Sequence, residues 1–337
     1  MSTDTTLITF YLKKMRYFSI YDNQDPVYFG GMKKLHLFLA LIFLALLSVL
    51  GALLTGSVSN ADLSIIYELR LPRVLTAFAV GGLLAMSGAI LQILTRNPLA
   101  ESSVLGVSGG ASVGALGVLM MGGAGTVWVA GGAWLGAIAV LVLLWLLVGG
   151  YATHPSRLLL AGVMVASGCG AITSLMIAFA SDMAMPGMIH WLMGDLDSVV
   201  SLELVGALLG IWLSVLLILM KLAPQIHLLQ LGTDKAQSLG VDVPSIQLMM
   251  VLLSALSAAA AVSIAGSIGF VGLLVPHLLR VIALKRLGPD QTFLLPASGL
   301  LGGAFLVLSD MVARTVDRKS TRLNSSHTDI SRMPSSA

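Results

Sequence analysis

The sequence holds a single cysteine, few aromatic residues (6%) and few charged ones (10%), and each scarcity removes a class of protein. Cys169 alone can neither close a disulfide nor build a CxxC metal or redox site within one chain, and its place in an apolar run marks it as a small packing residue. So low a charge density leaves too little polar surface for a water-exposed globule of 337 residues. The basic residues lie scattered between apolar runs and form no face with interleaved aromatics, so nucleic acid is not an expected partner. There is no Gly-x-x-x-x-Gly-Lys-Ser/Thr phosphate loop, no HExxH, no aspartate-rich diphosphate site and no paired catalytic carboxylates. Neither a catalytic residue, a cofactor nor a metal site is therefore expected. The lone His277, beside Pro276, reads as a packing residue, and the methionines are scattered.

What is there is apolar: 57% of the residues, with a mean hydropathy of +0.94. About 20 apolar residues cross the hydrocarbon layer as a helix, and nine runs approach that length: Leu35–Leu54, Leu71–Leu94, Val104–Met121, Trp128–Val148, Leu158–Ala180, Leu204–Leu222, Ile246–Ala265, Ile268–Leu284 and Phe293–Leu308. The expectation is an all-α, polytopic transmembrane bundle embedded in a lipid bilayer. The first run, after Met32, Lys33 and Lys34, is longer than a signal peptide and is followed by eight more, so it reads as an uncleaved helix.

With a cytoplasmic N-terminus, alternate loops carry Arg96, Arg157, Lys221 with Lys235, and Lys285 with Arg286. The opposite loops carry Asp182, Asp195, Asp197 and Glu203. That is the positive-inside pattern of a multi-pass protein. Arg70, Arg73 and Arg314 break it by falling on the outer side, as headgroup anchors or as a docking site for an acidic partner outside the membrane. Gly106, Gly109, Gly110, Gly114 and Gly117, then Gly131, Gly132 and Gly136, recur at helical spacing and let the third and fourth helices approach closely.

Residues 1–31 differ in composition from the rest of the chain and read as an N-terminal extension or a misassigned start, Met32 being a natural beginning. Residues 32–316 form the transmembrane domain. Residues 317–337 are polar and without periodicity, and read as a foreign tail.

Two stretches carry a resemblance to a known family. One is Arg70-Leu-Pro-Arg73, then Gly88-Ala-Ile-Leu-Gln92, Asn97-Pro-Leu-Ala-Glu101 and Leu105-Gly-Val-Ser-Gly-Gly110. The other is Leu231-Gly-Thr-Asp-Lys-Ala-Gln-Ser-Leu-Gly240, then Ala265-Gly-Ser-Ile-Gly-Phe-Val-Gly-Leu-Leu-Val-Pro-His-Leu-Leu-Arg280. Together they resemble the FecCD family, permeases of type II ABC importers for ferric siderophores, haem and cobalamin. The likeness covers approximately residues 35–316. The family has ten spans, and this chain departs from it by passing into the polar tail after Asp310-Met-Val-Ala-Arg314, so the tenth helix is expected to be lacking.

The resemblance implies an inner-membrane permease that carries a ferric siderophore or other iron chelate, with cobalamin or haem as alternatives, from periplasm to cytoplasm. The implied partners are a second permease subunit, identical or paralogous, two ATP-binding-cassette ATPase subunits and a periplasmic substrate-binding protein. ATP hydrolysis would belong to the ATPases. It implies docking of the binding protein on Arg70, Arg73 and Arg314, and ATPase coupling through Leu231, Gly232, Asp234, Ala236, Leu239 and Gly240. It places Ser167, Gly168, Thr173 and Ser174 on the pathway, where small, weakly polar residues suit passage without tight binding. An inner gate is implied at Asn97, Leu99, Thr153 and Ser156, with Pro98 and Pro155 stiffening the two loops. A secondary transporter, the rival reading, would carry acidic residues at mid-membrane depth, and none is read in the runs.

Overall fold

The computed structural model describes residues 27–55, 66–123, 125–149, 155–196, 201–287 and 290–330, and every element among them is helical. Each expected apolar run becomes a helix. They are α1 (Val27–Leu54), α2 (Leu71–Leu94), α3 (Val107–Met120), α4 (Thr126–Val148) and α5 (Pro155–Ala178). After the short α6 (Met185–Met193) come α7 (Leu202–Leu229), the short α8 (Thr233–Ser238), α9 (Val243–Ala265), α10 (Val271–Leu287) and α11 (Gln291–Ile330). Seven are long and apolar enough to cross a membrane, and α3 and α10 are shorter apolar helices.

Local chemistry sets the boundaries. A π-helical turn, Ile66–Arg70, runs into α2, whose first turn accepts Pro72 because no N–H is needed there. Asn97-Pro98 forbids α2 from continuing, since a proline disfavours helical geometry in the residue before it. A 3-10 turn, Ser102–Leu105, then reaches α3 through Gly106, whose φ of 74° suits glycine. Ser201 caps α7 by accepting the Leu204 N–H at 3.4 Å, and Asp242 caps α9 by accepting from Ser245.

Several elements differ from the sequence expectation: α1 begins at Val27, ahead of Leu35 and inside the expected extension 1–31, and α7 runs past Leu222 to Leu229. The eighth run begins at Val271 and not at Ile268, because the irregular break expected at Gly266 and Ser267 continues to Phe270 through residues whose hydropathy does not mark it. Helix α6, nine residues long, is too short to stand out as a span. Helix α11 continues as a helix to Ile330, past the expected boundary at 316.

Helix α2 is the hub. It packs against α1, α7, α9, α10 and α11, and 89% of its most apolar stretch is buried, against 22% in α1 and α7. Glycines make this possible: a Cβ on Gly88 would lie 1.9 Å from the Gly272 carbonyl oxygen, and one on Gly81 2.3 Å from that of Gly302. Ser87 and Ser254 exchange hydrogen bonds with each other's hydroxyl and carbonyl at 2.8–3.1 Å, pinning α2 to α9 in the apolar interior. A second unit joins α3 to α4 through the glycines expected to pack there. A Cβ on Gly114 would come within 2.0 Å of the Gly132 carbonyl, and one on Gly136 within 2.0 Å of that of Gly110. Gly110, Gly114, Gly132 and Gly136 make this contact, whereas Gly106 and Gly109 face α5, Gly117 meets only the end of Met176 on α5, and Gly131 meets nothing. At the start of α11, burial raises the Asp290 carboxyl's affinity for protons, but an ion pair with Lys34 and bonds from Thr292 outweigh it and hold the group below its ordinary range.

Candidate functional site

Four groups of residues singled out by the sequence occupy different parts of the bundle. The three arginines converge at one end of α2 and α11. Arg73 grips Asp310 with Nε at 3.1 and 3.2 Å from the two carboxylate oxygens and Nη2 at 2.7 Å. Arg314, one turn beyond Asp310 on α11, brings Nε to 3.0 Å from the same group. Arg70 is buried and donates through Nη1 to the Leu53 carbonyl at 3.0 Å. Sequence reasoning found the arginines but missed Asp310, a buried acid in an apolar helix where none was read; its spacing of four from Arg314 was the available signal.

At the opposite end, α8 hangs between α7 and α9. Gly232 (φ 112°) and Gly240 (φ 85°) make the turns that bracket it, and Ala236 is buried against its neighbours. Leu231 and Leu239 stand exposed at its two ends, and Asp234 is exposed between them. The result is an apolar pair on a short tethered helix, presented away from the bundle.

Helix α5 packs on one side only, against α3, α4 and the 3-10 turn. Its packed face carries Gly162, which lies against the Val104 carbonyl, and Cys169, which sits against Gly109. The other face exposes Ser167, Gly168, Gly170 and Ser174, with Thr173 half-buried. Ser167 donates to the Val163 carbonyl at 2.9 Å and Ser174 to the Gly170 carbonyl at 3.0 Å. Both hydroxyl protons are thus turned back on the helix, leaving a smooth, weakly polar surface.

In the loop after α2, Asn97 Oδ1 accepts the Leu99 N–H at 3.0 Å, a turn that leaves the Leu99 side chain 68% exposed. Ser156 falls in the first turn of α5, and Thr153 lies outside the described residues. The same loop is fastened from below by groups that the sequence did not single out: Gln92 donates to the Ala100 carbonyl at 3.2 Å, and Glu101 accepts the Phe270 N–H at 2.6 Å.

His277 is exposed on α10 and not packed as expected. No group of three or more His, Cys, Asp or Glu side chains that could hold a metal occurs among the described residues.

Known proteins share both the sequence pattern and the architecture. A sequence model of the FecCD transport family matches residues 34–324. An uncharacterised ABC transporter permease, YvrB of Bacillus subtilis, is 39% identical over 77% of this chain and 75% of its own. The Fe(3+) dicitrate transport system permease FecC of Escherichia coli is 36% identical over 79% of each chain. The vitamin B12 import system permease BtuC of Vibrio cholerae is 36% identical over 76% of each. A solved structure of an inward-facing metal-chelate type ABC transporter superimposes with a TM-score of 0.76 at 29% identity, covering 83% of this chain and 91% of the other.

Proposed function

The chain belongs to the FecCD transport family, and from that premise we propose that it forms the membrane path of an ATP-driven importer carrying a ferric siderophore or similar iron chelate. It is a membrane protein and a permease of the metal-chelate ABC importer type. The finer assignments rest on its surfaces.

The observation that carries the proposal is the open face of α5. Ser167, Gly168, Thr173 and Ser174 offer a bulky solute a wall without charge, with the Ser167 and Ser174 hydroxyl protons already engaged, which suits passage better than capture. A second permease subunit would supply the facing wall. Helix α8 supplies the ATPase contact: Leu231 and Leu239 would enter an apolar groove, with Asp234 at the rim. Asn97, Leu99, Thr153 and Ser156 would close the path at that same end. The arginine group at the other end would receive a periplasmic binding protein through its carboxylates, because a guanidinium fork keeps its charge and can bind a carboxylate with two hydrogen bonds. With Arg96, Arg157 and Lys235 on one side, the positive-inside rule puts that side and the N-terminus in the cytoplasm of an inner-membrane protein.

Vitamin B12, with haem as the further alternative, is the second reading of the cargo, the vitamin B12 and ferric dicitrate permeases being equally identical to this chain. The test is reconstitution with the cognate ATPase and binding protein in vesicles, offering a ferric siderophore, vitamin B12 and haem in parallel. Uptake of the ferric siderophore that requires ATP supports the proposal. Preference for either other cargo replaces the substrate, and uptake driven by an ion gradient without the ATPase overturns the mechanism.

A further inference from the structure

Among the described residues, two that are not glycine take a left-handed backbone conformation, one in each of two segments that hydrogen bonds tie together. Arg96 (φ 50°) lies in the loop after α2, and Phe270 (φ 68°) ends the break between α9 and α10. Such conformations cost about 1–3 kcal/mol each and persist only where their surroundings impose them. Glu101 accepts the Phe270 N–H, while the Arg96 N–H is held within its own turn by the Ile93 carbonyl at 3.2 Å.

Pro276 explains the role of Gln92. Inside α10 it has no N–H to give the carbonyl of Gly272, four residues earlier, and its ring pushes that carbonyl outward. Gln92, buried in the last turns of α2, answers with Nε2 at 3.1 Å from the Gly272 oxygen. The same amide reaches the Ala100 carbonyl at 3.2 Å, and its oxygen accepts from Arg280 farther along α10. Glu101, next in the loop, holds the Phe270 N–H at 2.6 Å, and the held backbone presents the Phe270 ring 73% exposed. Loop 95–101 is therefore fastened to α10 at the helix's origin and on its flank.

We propose that Gln92 and Glu101 are positioning residues that make loop 95–101 and α10 one mechanical unit, so that displacement of the loop swings the α9–α10 break and the Phe270 ring with it. The inference rests on the inner-gate reading of Asn97 and Leu99. It assigns the transmission of gate movement to a glutamine whose partner carbonyl was freed by a proline.

The test uses the whole transporter in a Cys169→Ala background, with spin labels on one permease only. One pair is Leu99→Cys with Leu274→Cys on α10, and a reference pair is Leu99→Cys with Leu135→Cys on α4; all three positions are exposed. Between the nucleotide-free and vanadate-trapped states, the reference distance should change while the Leu99–Leu274 distance stays constant. If both change alike, the loop and α10 move independently and the inference is wrong while the gate reading stands. If the reference distance does not change, the gate reading itself fails. A functional arm distinguishes transmission from bracing: Glu101→Ala should lower cargo imported per ATP hydrolysed by about tenfold while ATP hydrolysis continues. Glu101→Gln, which keeps an oxygen for the Phe270 N–H, should recover most of it. An unchanged ratio in Glu101→Ala would count against transmission.

Discussion

Gly88 and Gly168 occupy helices of equal length, 24 residues each, and their surroundings are opposite. A side chain on Gly88 would run into the Gly272 backbone at 1.9 Å, whereas Gly168 and Gly170 meet nothing within 4 Å. Glycine inside a helix costs about 1 kcal/mol relative to alanine. In α2 the close approach of α10 offsets that cost through packing. For Gly168 and Gly170 of α5, unlike Gly162 on its packed face, nothing among the described residues does. A small residue kept at a cost and facing outward points to something beyond this polypeptide, which is why α5 and not the more tightly packed α2 is read as the functional wall.

The largest effect should come from filling the hub. Gly88→Val would force backbone against backbone, where no side-chain rotation can relieve the clash, and overpacking of this kind costs upward of about 1–3 kcal/mol. Gly88→Val should therefore lose most of its membrane accumulation, and Gly168→Val should accumulate as the unaltered protein does, both measured by quantitative immunoblot of membrane fractions. Equal loss in both would erase the distinction between hub and rim.

Next in size is the functional half of the same contrast. Gly168→Trp should insert normally yet reduce ATP-dependent uptake by about tenfold or more, because the indole would stand in the space left by the open face. Normal uptake at normal abundance would make that face a lipid contact. A smaller, separable loss is expected from Leu239→Asp on α8: a carboxylate in an apolar groove is poorly tolerated, so ATPase recovered by copurification should fall severalfold while α5-facing properties, such as labelling of Ser167→Cys, stay constant.

Much of this arrangement was legible in the sequence wherever the signal was local. Nine apolar runs became helices, and half of the glycines expected between α3 and α4, namely Gly110, Gly114, Gly132 and Gly136, make that contact, since periodicity within one segment marks a face but not which neighbour it meets. The arginine motif and the bracketed segment 231–240 were likewise visible as residues out of place in their surroundings. What hydropathy could not supply was pairing at long range. Arg73 meets Asp310 across 237 residues and Gln92 meets Gly272 across 180, and neither spacing leaves a trace in composition. The break after Ala265 was read, but its extent to Phe270 was not, because Ile268 and Phe270 are apolar residues that hydropathy adds to the following helix. Asp310 was given no role because the ninth run was read as ending at Leu308, which placed the acid outside the membrane helix, although its burial beside two arginines makes it the organising group of that end.

The smallest effect concerns that arginine group, and its geometry dictates how it must be tested. Reversing Arg73 would set a carboxylate against buried Asp310, and removing one member of a buried pair typically costs about 3–5 kcal/mol, so any loss of docking would be confounded with loss of fold. Arg314→Gln is the cleaner variant. Arg314 is also paired with Asp310, but its loss leaves that carboxylate held by Arg73, retains hydrogen-bonding capacity and subtracts one charge from the face proposed to receive the binding protein; membrane abundance measured alongside separates loss of fold. Charges at the edge of an interface act mainly on the rate of association, and salt screens them over about 8–10 Å. Association of the binding protein with vesicle-embedded transporter, followed by stopped-flow fluorescence, should slow by about two- to fivefold in Arg314→Gln at low ionic strength. The difference should shrink toward nothing in high salt, and Arg314→Lys should recover most of the rate because it restores the charge. An anchor for lipid headgroups would behave otherwise, leaving the rate unaltered at every salt concentration while shifting the protein's dependence on anionic lipid. That outcome would remove the arginines from the docking surface and leave Asp310 as a brace between α2 and α11.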